Sequence, residues 1–165
     1  MILIALGGNL PSRAGQPTQT FDAALAHLTQ HGAKVVVVSP YYVTPAWPDP
    51  SDPSYANAVV CIETALEPAA LMALLHETET AFERVRSARN APRTLDLDLL
   101  DYEGRVEAGP PVLPHPRLAE RAFVLVPLAA VAPGWRHPMT GRSVTGLLAS
   151  LPQKEREAVR PISSS

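Results

Sequence analysis

The feature that most restricts the fold is a run of alternating residues, Thr94-Leu95-Asp96-Leu97-Asp98-Leu99. Successive side chains of a β-strand point to opposite faces of the sheet. The run therefore predicts a strand over residues 95–102 with one apolar face and one acidic face. We expect the leucines to face a hydrophobic core, so Asp96 and Asp98 face the other way together.

The spacing of apolar residues and the turn residues predict the other elements. Strands are predicted over 2–6, 34–43 and 55–65. One helix is predicted over 19–31, capped by Gly32, and another runs from Pro68 to Phe82. Residues 117–130 are predicted to be partly helical and 143–151 to form a short helix. Prolines crowd segments 45–53 and 110–116, which we predict as loops.

The predicted core order is β-α-β-β-α-β. This order is typical of the ferredoxin-like α+β fold, an antiparallel sheet with its helices packed on one face. A C-terminal helical extension follows the core. No internal repeat and no linker divides the chain, so we predict one domain over 1–160 and a frayed tail over 161–165.

Composition bounds the class of protein. The chain of 165 residues is 46% hydrophobic and 18% charged, which excludes a disordered protein. Cys61 is the only cysteine, so no internal disulfide can form and we expect a cytoplasmic setting. No targeting segment is visible, and the longest apolar run, 122–133, is shorter than the ~20 residues that span a bilayer. The net charge of −2 argues against general binding to nucleic acid or membranes. We expect a monomer that acts on small molecules.

The paired carboxylates are the first candidate site. Asp96 and Asp98 would repel each other on one strand face unless a cation lies between them. Mg²⁺ takes one or two carboxylates together with waters and phosphate oxygens, and two such ions can clamp a phosphoryl transfer. The alternative is a solvated strand face that alternating aspartates keep polar. The strand alone does not decide between the two.

Clustered arginines favour a phosphate ligand. Arg84, Arg86, Arg89 and Arg93 fall within ten residues. A guanidinium binds phosphate through two parallel hydrogen bonds and neutralises charge that develops during transfer. Because Arg93 lies three residues before Asp96, both could meet one polyphosphate. The alternative is a solvated charge run, or ion pairs with acidic residues of the preceding helix.

A second constellation lies on the strand that starts at Tyr55. Tyr55 and Asn57 share a strand face, and a ring beside an amide suits a flat heterocycle. The alternative is an ordinary sheet-face tyrosine and a strand-end asparagine. Phe123 is more often a core residue than a ligand platform.

The remaining polar residues give weaker signals. His115 lies in a proline-rigid loop and could contact phosphate. His27 and His31 have the spacing of a zinc pair on a helix, but no third ligand is evident, and we interpret them as surface residues. We interpret Cys61 as a packing residue. No Walker A loop and no dinucleotide fingerprint is present, and Gly7-Gly8-Asn9 is interpreted only as a turn.

Taken together, these pieces resemble the 6-hydroxymethyl-7,8-dihydropterin pyrophosphokinases of folate biosynthesis. The likeness reaches to about residue 150, and its most specific block is Arg93-Thr94-Leu95-Asp96-Leu97-Asp98. The other matching pieces are weak singly, and they are Ile4-Ala5-Leu6-Gly7-Gly8-Asn9-Leu10, Tyr42-Val43-Thr44-Pro45, Tyr55-Ala56-Asn57-Ala58-Val59, Glu79, Arg84-Val85-Arg86, Pro114-His115, Arg121-Ala122-Phe123, Pro127-Leu128 and Ala132-Pro133.

The resemblance implies transfer of pyrophosphate from ATP to the pterin hydroxymethyl group, with release of AMP and with two Mg²⁺ ions held by Asp96 and Asp98. Arg84 and Arg93 are implied as catalytic. The implied pterin-binding residues are Thr44, Pro45, Tyr55, Asn57 and Phe123. The implied ATP-binding residues are His76, Glu79, Arg84, Arg89, Arg93, Leu99, His115 and Arg121.

The sequence departs from the family pattern at three places. Gly8 stands where a serine is common, Asn90-Ala91 replaces a tryptophan–glycine pair in a loop one residue shorter, and Pro116 replaces an aromatic. None of these positions is a metal carboxylate. Two alternatives stay open at this stage, a nucleotide-dependent transferase for another acceptor and a non-catalytic binding domain on the same fold.

Overall fold

The computed structural model describes residues 1–85 and 91–162 and confirms an α+β fold with an antiparallel sheet and packed helices. The strands are β1 (Ile2–Gly8), β2 (Ala33–Val38), β3 (Tyr42–Thr44), β4 (Tyr55–Thr64), β5 (Asp96–Tyr102) and β6 (Arg160–Pro161). The helices are α1 (Pro17–Gln30), α2 (Pro68–Ala81), α3 (Ala122–Val131), α4 (Val144–Ala149) and α5 (Gln153–Glu157), with a 3₁₀ turn at Leu118–Glu120.

The sheet has the order expected for a ferredoxin-like core. β1 lies between β4 and β5 and is antiparallel to both, while β2 and β3 both pair with the other edge of β4. The prediction of one continuous strand over 34–43 is wrong. Pro40 has no N–H to give to the ladder, and the chain leaves the sheet there before it returns as β3. Ser39 secures the break, because its hydroxyl accepts the Val59 N–H at 3.0 Å.

α1 and α2 pack on one face of the sheet, and alternate strand residues supply the facing side chains. Ile4, Val60 and Leu97 lie in this core together with Phe21 of α1 and Leu75 of α2. The predicted leucine face of β5 is therefore confirmed. The apolar residues at every second strand position and the apolar stripe of α1 form the two sides of this core.

The C-terminal extension covers part of the opposite face. Leu3 and Val59 lie in a second core with Leu125 of α3 and Leu147 of α4. A register shift between Leu3 and Ile4 also turns Asp101 inward, where its carboxylate accepts the Trp135 indole N–H at 2.8 Å. Asp101, the third aspartate of β5, thus joins the C-terminal extension to the sheet. Asp96 and Asp98 lie nearer the start of β5.

The end of the described chain pairs with the sheet. α5 and β6 are absent from the sequence predictions, and β6 pairs with β3. The Ile162 N–H also donates to the Tyr41 carbonyl at 2.8 Å, so regular pairing reaches past the predicted boundary at residue 160. No helix within 1–85 or 91–162 is long and apolar enough to cross a membrane.

Candidate active site

The register of three neighbouring strands defines the centre of the site. Gly7 of β1 lies opposite Asn57 of β4 on one side and opposite Asp96 of β5 on the other. Residues directly opposite each other in an antiparallel pair project from the same face. Since Gly7 has no side chain, the surface between the amide and the carboxylate stays open. A Cβ at Gly7 would lie 3.6 Å from Asn57 Oδ1 and 4.0 Å from Asp96 Cβ.

Asp98 lies on the same face of β5 and carries an unfavourable charge. Burial raises the pKa of the Asp98 carboxyl to about 6, with Asp96 adding to the rise and Arg121, Arg84 and Arg93 opposing it. A carboxylate in this position is stabilised in its ionised form by a nearby cation. The acidic face predicted from the alternation is therefore present, and its electrostatics fit a bound cation.

Asp96 is held between two guanidinium groups. Arg84 Nη1 donates to Asp96 Oδ1 at 2.6 Å, and Arg93 Nη1 lies 3.4 Å from Asp96 Oδ2. The three side chains are 13%, 19% and 28% exposed for Arg84, Arg93 and Asp96, so their charges interact with little screening by water. Arg84 and Arg93 thus lie beside the acidic strand, and their joint contact with one polyphosphate stays a prediction.

Glu79 fixes the position of Arg84. The Glu79 carboxylate is 2% exposed, and its Oε2 accepts Arg84 Nη1 at 2.7 Å and the Leu97 N–H at 2.8 Å. Glu83, just after the end of α2, takes a left-handed φ of 68°, which turns the chain so that Arg84 faces back to the sheet. Glu79 therefore joins α2, Arg84 and β5 in one charged network.

Two buried polar atoms of this network have no hydrogen bond within the described residues. They are Arg84 Nε and Thr94 Oγ1. Buried groups of this kind are usually satisfied, and an exception at a site points to a ligand or water that completes them. Both atoms lie in the segments that surround Asp96, so a bound anion would find donors there.

His115 and Arg121 add donors beside the acidic pair. Burial lowers the pKa of His115, with Arg121 and Arg117 adding to the fall and Asp96 opposing it. The imidazole is therefore neutral near pH 7. Its Nδ1 accepts the Arg117 N–H at 3.2 Å, which assigns the ring proton to Nε2 and makes Nε2 a donor. Burial also lowers the pKa of Arg121, although a guanidinium stays charged at neutral pH.

The heterocycle candidates lie on the other side of Gly7. Asn57 is 5% exposed, and its Nδ2 donates to Thr44 Oγ1 at 2.8 Å. Tyr55 lies opposite Thr44 in the β3–β4 ladder, on the same face as Asn57. Phe123 is 38% exposed at the start of α3, and the Arg121 guanidinium lies 5.5 Å from its ring centre. Asn57 and Tyr55 thus share one sheet face beside Gly7, and the Phe123 ring is exposed next to Arg121.

The other predicted site residues differ in exposure. The Leu99 side chain is 3% exposed in the core beneath α1 and α2, and the ATP contact predicted at Leu99 stays a prediction. The strand pleat sends that side chain away from the aspartates. His76 is exposed on α2, and Pro45 is exposed just after β3. Arg89 lies outside the described residues.

Sequence reasoning missed Asn9 and the reason for Gly8. Asn9 Oδ1 accepts the Arg93 N–H at 2.8 Å, and its Nδ2 donates to the Pro53 carbonyl at 3.0 Å. A Cβ at Gly8 would lie 2.6 Å from the Thr94 carbonyl oxygen, so glycine permits the loop before β5 to approach β1. A polar residue that follows two glycines at a strand end was the available signal, because it often bonds to neighbouring backbone.

No other metal site replaces the acidic pair in the described part of the chain. Groups of three or more histidine, cysteine, aspartate or glutamate side chains that could hold an ion are absent there. His27 and His31 stack on each other with ring centres 4.1 Å apart, and Cys61 is a half-buried free thiol. Two carboxylates alone fit Mg²⁺, which takes its remaining ligands from water and phosphate.

The fold and the carboxylate–guanidinium network fit the class of nucleotide-dependent transferases. A family model described as 7,8-dihydro-6-hydroxymethylpterin-pyrophosphokinase (HPPK) matches residues 3–133. The chain is 36% identical to the 2-amino-4-hydroxy-6-hydroxymethyldihydropteridine pyrophosphokinase of Synechocystis sp., over 97% of this chain and 79% of that protein. It is 42% identical to the pyrophosphokinase of the same name from Methylorubrum extorquens, over 79% of this chain and 81% of that protein.

Solved structures agree on the fold. The Plasmodium falciparum HPPK-DHPS structure with pteroate superposes with a TM-score of 0.66 at 11% identity, over 90% of this chain. This chain spans only 43% of that longer protein. The chain belongs to the HPPK family, whose reaction is the ATP-dependent pyrophosphoryl transfer to hydroxymethyldihydropterin in folate biosynthesis. The two alternatives left open by the sequence are thereby excluded.

Proposed function

We propose that this chain carries out the family's transfer at the surface around Gly7, with the pterin on the Asn57 side and the ATP phosphates on the Asp96 side. The observation that carries the proposal is the register in which Asn57, Gly7 and Asp96 lie side by side on three strands. Neighbouring strands are ~4.8 Å apart, so the two substrates would meet across about 10 Å of open sheet face. The products are the pterin diphosphate and AMP.

On the pterin side, the Asn57 amide forms a hydrogen bond with the edge of the heterocycle. Its Nδ2 is engaged by Thr44, so Oδ1, which faces the space over Gly7, is the acceptor for a ring N–H. Tyr55 and Phe123 supply aromatic surface, and the backbone at Thr44 and Pro45 borders the same ligand. An amide fixed by a buried hydrogen bond holds its orientation before the ligand arrives, which lowers the cost of binding.

On the phosphate side, donors converge on the acidic pair. Arg84 and Arg93 are the catalytic arginines, and His115 Nε2–H and Arg121 bind the nucleotide. Glu79 positions Arg84 through the bond described above. His76 borders the nucleotide from α2, and Arg89 contributes from its segment. These cations neutralise charge that grows as the phosphoryl group transfers.

Asp96 and Asp98 would hold Mg²⁺, and we propose two ions. When bound, the ions supply charge neutralisation on the phosphate oxygens and polarise the β-phosphorus. The chain's own part is to align the substrates. The pterin hydroxymethyl oxygen forms a bond to the β-phosphorus, the bond from that phosphorus to the bridging α–β oxygen breaks, and AMP leaves while the hydroxyl proton passes to solvent. No protein nucleophile enters this balance.

The experiment measures AMP and pterin diphosphate by chromatography after incubation with Mg-ATP and 6-hydroxymethyl-7,8-dihydropterin. Asp96→Ala and Asp98→Ala are each expected to abolish product formation while the far-ultraviolet circular dichroism spectrum stays unchanged. Glu63→Ala is the matched control, because Glu63 is exposed at the far end of β4. Turnover near that of the unsubstituted chain in either aspartate variant would refute the metal assignment. We further propose a monomer in the cytoplasm, which analytical ultracentrifugation and fractionation test.

A further inference from the structure

The C-terminal strap, residues 151–162, is attached to the strand that carries Thr44. Arg160 and Pro161 pair with Val43 and Tyr42 of β3. The Ile162 N–H extends this ladder by its bond to the Tyr41 carbonyl. β3 has only three residues, and a strand this short has few backbone bonds to hold it on one side alone. The strap supplies the second side.

One buried side chain of the strap also contacts the helix that carries Phe123. Val159 is 8% exposed and forms a small cluster with Tyr42 of β3 and Ala122 of α3. Tyr42 lies opposite Asn57 in the β3–β4 ladder, and Ala122 directly precedes Phe123. Leu151 and Val126 pack around the same cluster. Val159 therefore packs with Tyr42 and Ala122 on the sheet face that carries Asn57.

We propose that the strap positions the pterin site and that Val159 is its central positioning residue. The proposal rests on the proposed function, because it takes Thr44, Asn57 and Phe123 as the pterin side. The family match ends at residue 133, so the match itself does not assign the strap any part in the site. On the phosphate side, Asp96, Arg84 and Asn9 lie outside the Tyr42–Ala122–Val159 cluster, and only Arg121, which directly precedes Ala122, adjoins it. A loosened strap should therefore weaken pterin binding more than nucleotide binding.

The test compares two identical substitutions at different places. Val159→Ala removes two methyl groups from the cluster beside the proposed pterin surface. Val144→Ala removes the same groups from α4, where Val144 is fully buried in the second core. Both should lower stability through a cavity. Only Val159→Ala should raise the KM and the Kd for 6-hydroxymethyl-7,8-dihydropterin, by roughly 3- to 30-fold, with the KM for ATP within about twofold.

A second variant acts on the backbone alone. Ile162→Pro removes the N–H that reaches Tyr41 and leaves the Val159 cluster intact. It should show the same split between pterin and ATP, to a smaller extent. Calorimetry measures the pterin Kd with saturating Mg²⁺ and a non-hydrolysable ATP analogue, and the Mg-ATP Kd without pterin.

The outcomes separate the strap from the site itself. Unchanged pterin affinity in both strap variants, or equal losses for pterin and ATP, overturns the inference. Asn57→Ala in the same assay must weaken pterin binding. If Asn57→Ala weakens pterin binding and the strap variants do not, the proposed pterin site stands and only the strap proposal fails. If Asn57→Ala also binds normally, the proposed pterin site is wrong and the strap proposal fails with it.

Discussion

The side-chain oxygen Oδ1 of Asn9 accepts the backbone N–H of Arg93 at 2.8 Å. The Asn9 N–H donates to the Arg93 carbonyl at 2.9 Å. Asn9, which follows β1, therefore holds the backbone of Arg93 through two hydrogen bonds. Through Nδ2 the same side chain also holds the Pro53 carbonyl. One 4% exposed asparagine thus links the segment of Arg93 to the proline-rich loop 45–53.

Asn9→Ala should therefore disturb both substrates. It leaves the N–H of half-buried Arg93 without its partner, which costs roughly 1–3 kcal/mol in the free energy of unfolding, while water can replace the partner of the exposed Pro53 carbonyl. We expect a loss within that range by urea denaturation, together with higher KM values for pterin and ATP. Thr64→Val is the control, because it removes a hydrogen bond to the Gly32 carbonyl at the other end of β4. Unaltered KM values for Asn9→Ala would show that the two loops do not depend on this link.

Glu79→Gln should separate positioning from stability. The amide oxygen can still accept the Leu97 N–H, but the charge that aligns Arg84 is lost. We expect kcat to fall by about 10- to 100-fold, with a small change in the KM for pterin. Glu79→Ala should in addition lower stability by ~1–3 kcal/mol, since it leaves the buried Leu97 N–H unsatisfied while Arg84 keeps its bond to Asp96. Steady-state kinetics and urea denaturation measure both. A fully active Glu79→Gln enzyme would contradict the positioning role.

Gly7→Ala should impair catalysis without harming the fold. The added methyl group would make ordinary contacts, 3.6 Å or more from its neighbours, so stability should change by less than about 1 kcal/mol. It would nevertheless occupy the surface between Asn57 and Asp96, and kcat/KM should fall by roughly 10-fold or more. Gly134→Ala is the control, because a Cβ there has nothing within 4 Å. Equal activity of the two variants would place the reaction elsewhere.

Gly8→Ala, unlike Gly7→Ala, should lower the stability of the fold. Its Cβ would lie 2.6 Å from the Thr94 carbonyl oxygen and 3.2 Å from the Thr94 carbonyl carbon. Backbone must move to relieve that contact, which costs about 1–3 kcal/mol. Urea denaturation against the same Gly134→Ala control measures the difference. A stability equal to the control's would show that the loop before β5 can move away freely.

Tyr41 should make stability depend on alkaline pH. Burial raises the pKa of Tyr41, and the hydrogen bond to Asp22 at 2.6 Å and the Asp22 charge add to the rise. The unfolded chain therefore loses this proton first, near pH 10. Stability attributable to Tyr41 is fully present below pH 10 and is lost as pH rises toward the folded pKa, by at most ~1.4 kcal/mol per pH unit.

Tyr41→Phe isolates this effect. The variant should lose stability less steeply above pH 10 than the unsubstituted chain, and Asp22→Asn should lie between the two. Urea denaturation from pH 8 to pH 11 measures the slopes. Other tyrosines and the lysines contribute equally to all three proteins, so a slope shared by the three would remove Tyr41 as the cause.

The alternation around Asp96 and Asp98 was sufficient to predict the strand, its buried leucine face and its acidic face, because a period of two leaves no other placement. The helical spacing of α1 and α2 likewise predicted the layer beneath. Sequence could not show that Pro40 splits one strand into two, nor that the chain end returns as β6 to pair with β3. The break is secured by a contact 20 positions away, from Ser39 to Val59, and the pairing of β6 joins residues more than 100 positions apart.

The sequence by itself determined the chemistry of the site, since carboxylates, guanidinium groups and a fixed amide were all visible as residue types at strand spacing. Only the tertiary structure decided which of them meet. Gly7 lies between Asn57 and Asp96 because antiparallel pairing aligns three distant segments. Asn9 and Val159 acquire their roles from the loops and helix that packing brings beside them, and such contacts leave no local pattern in the chain.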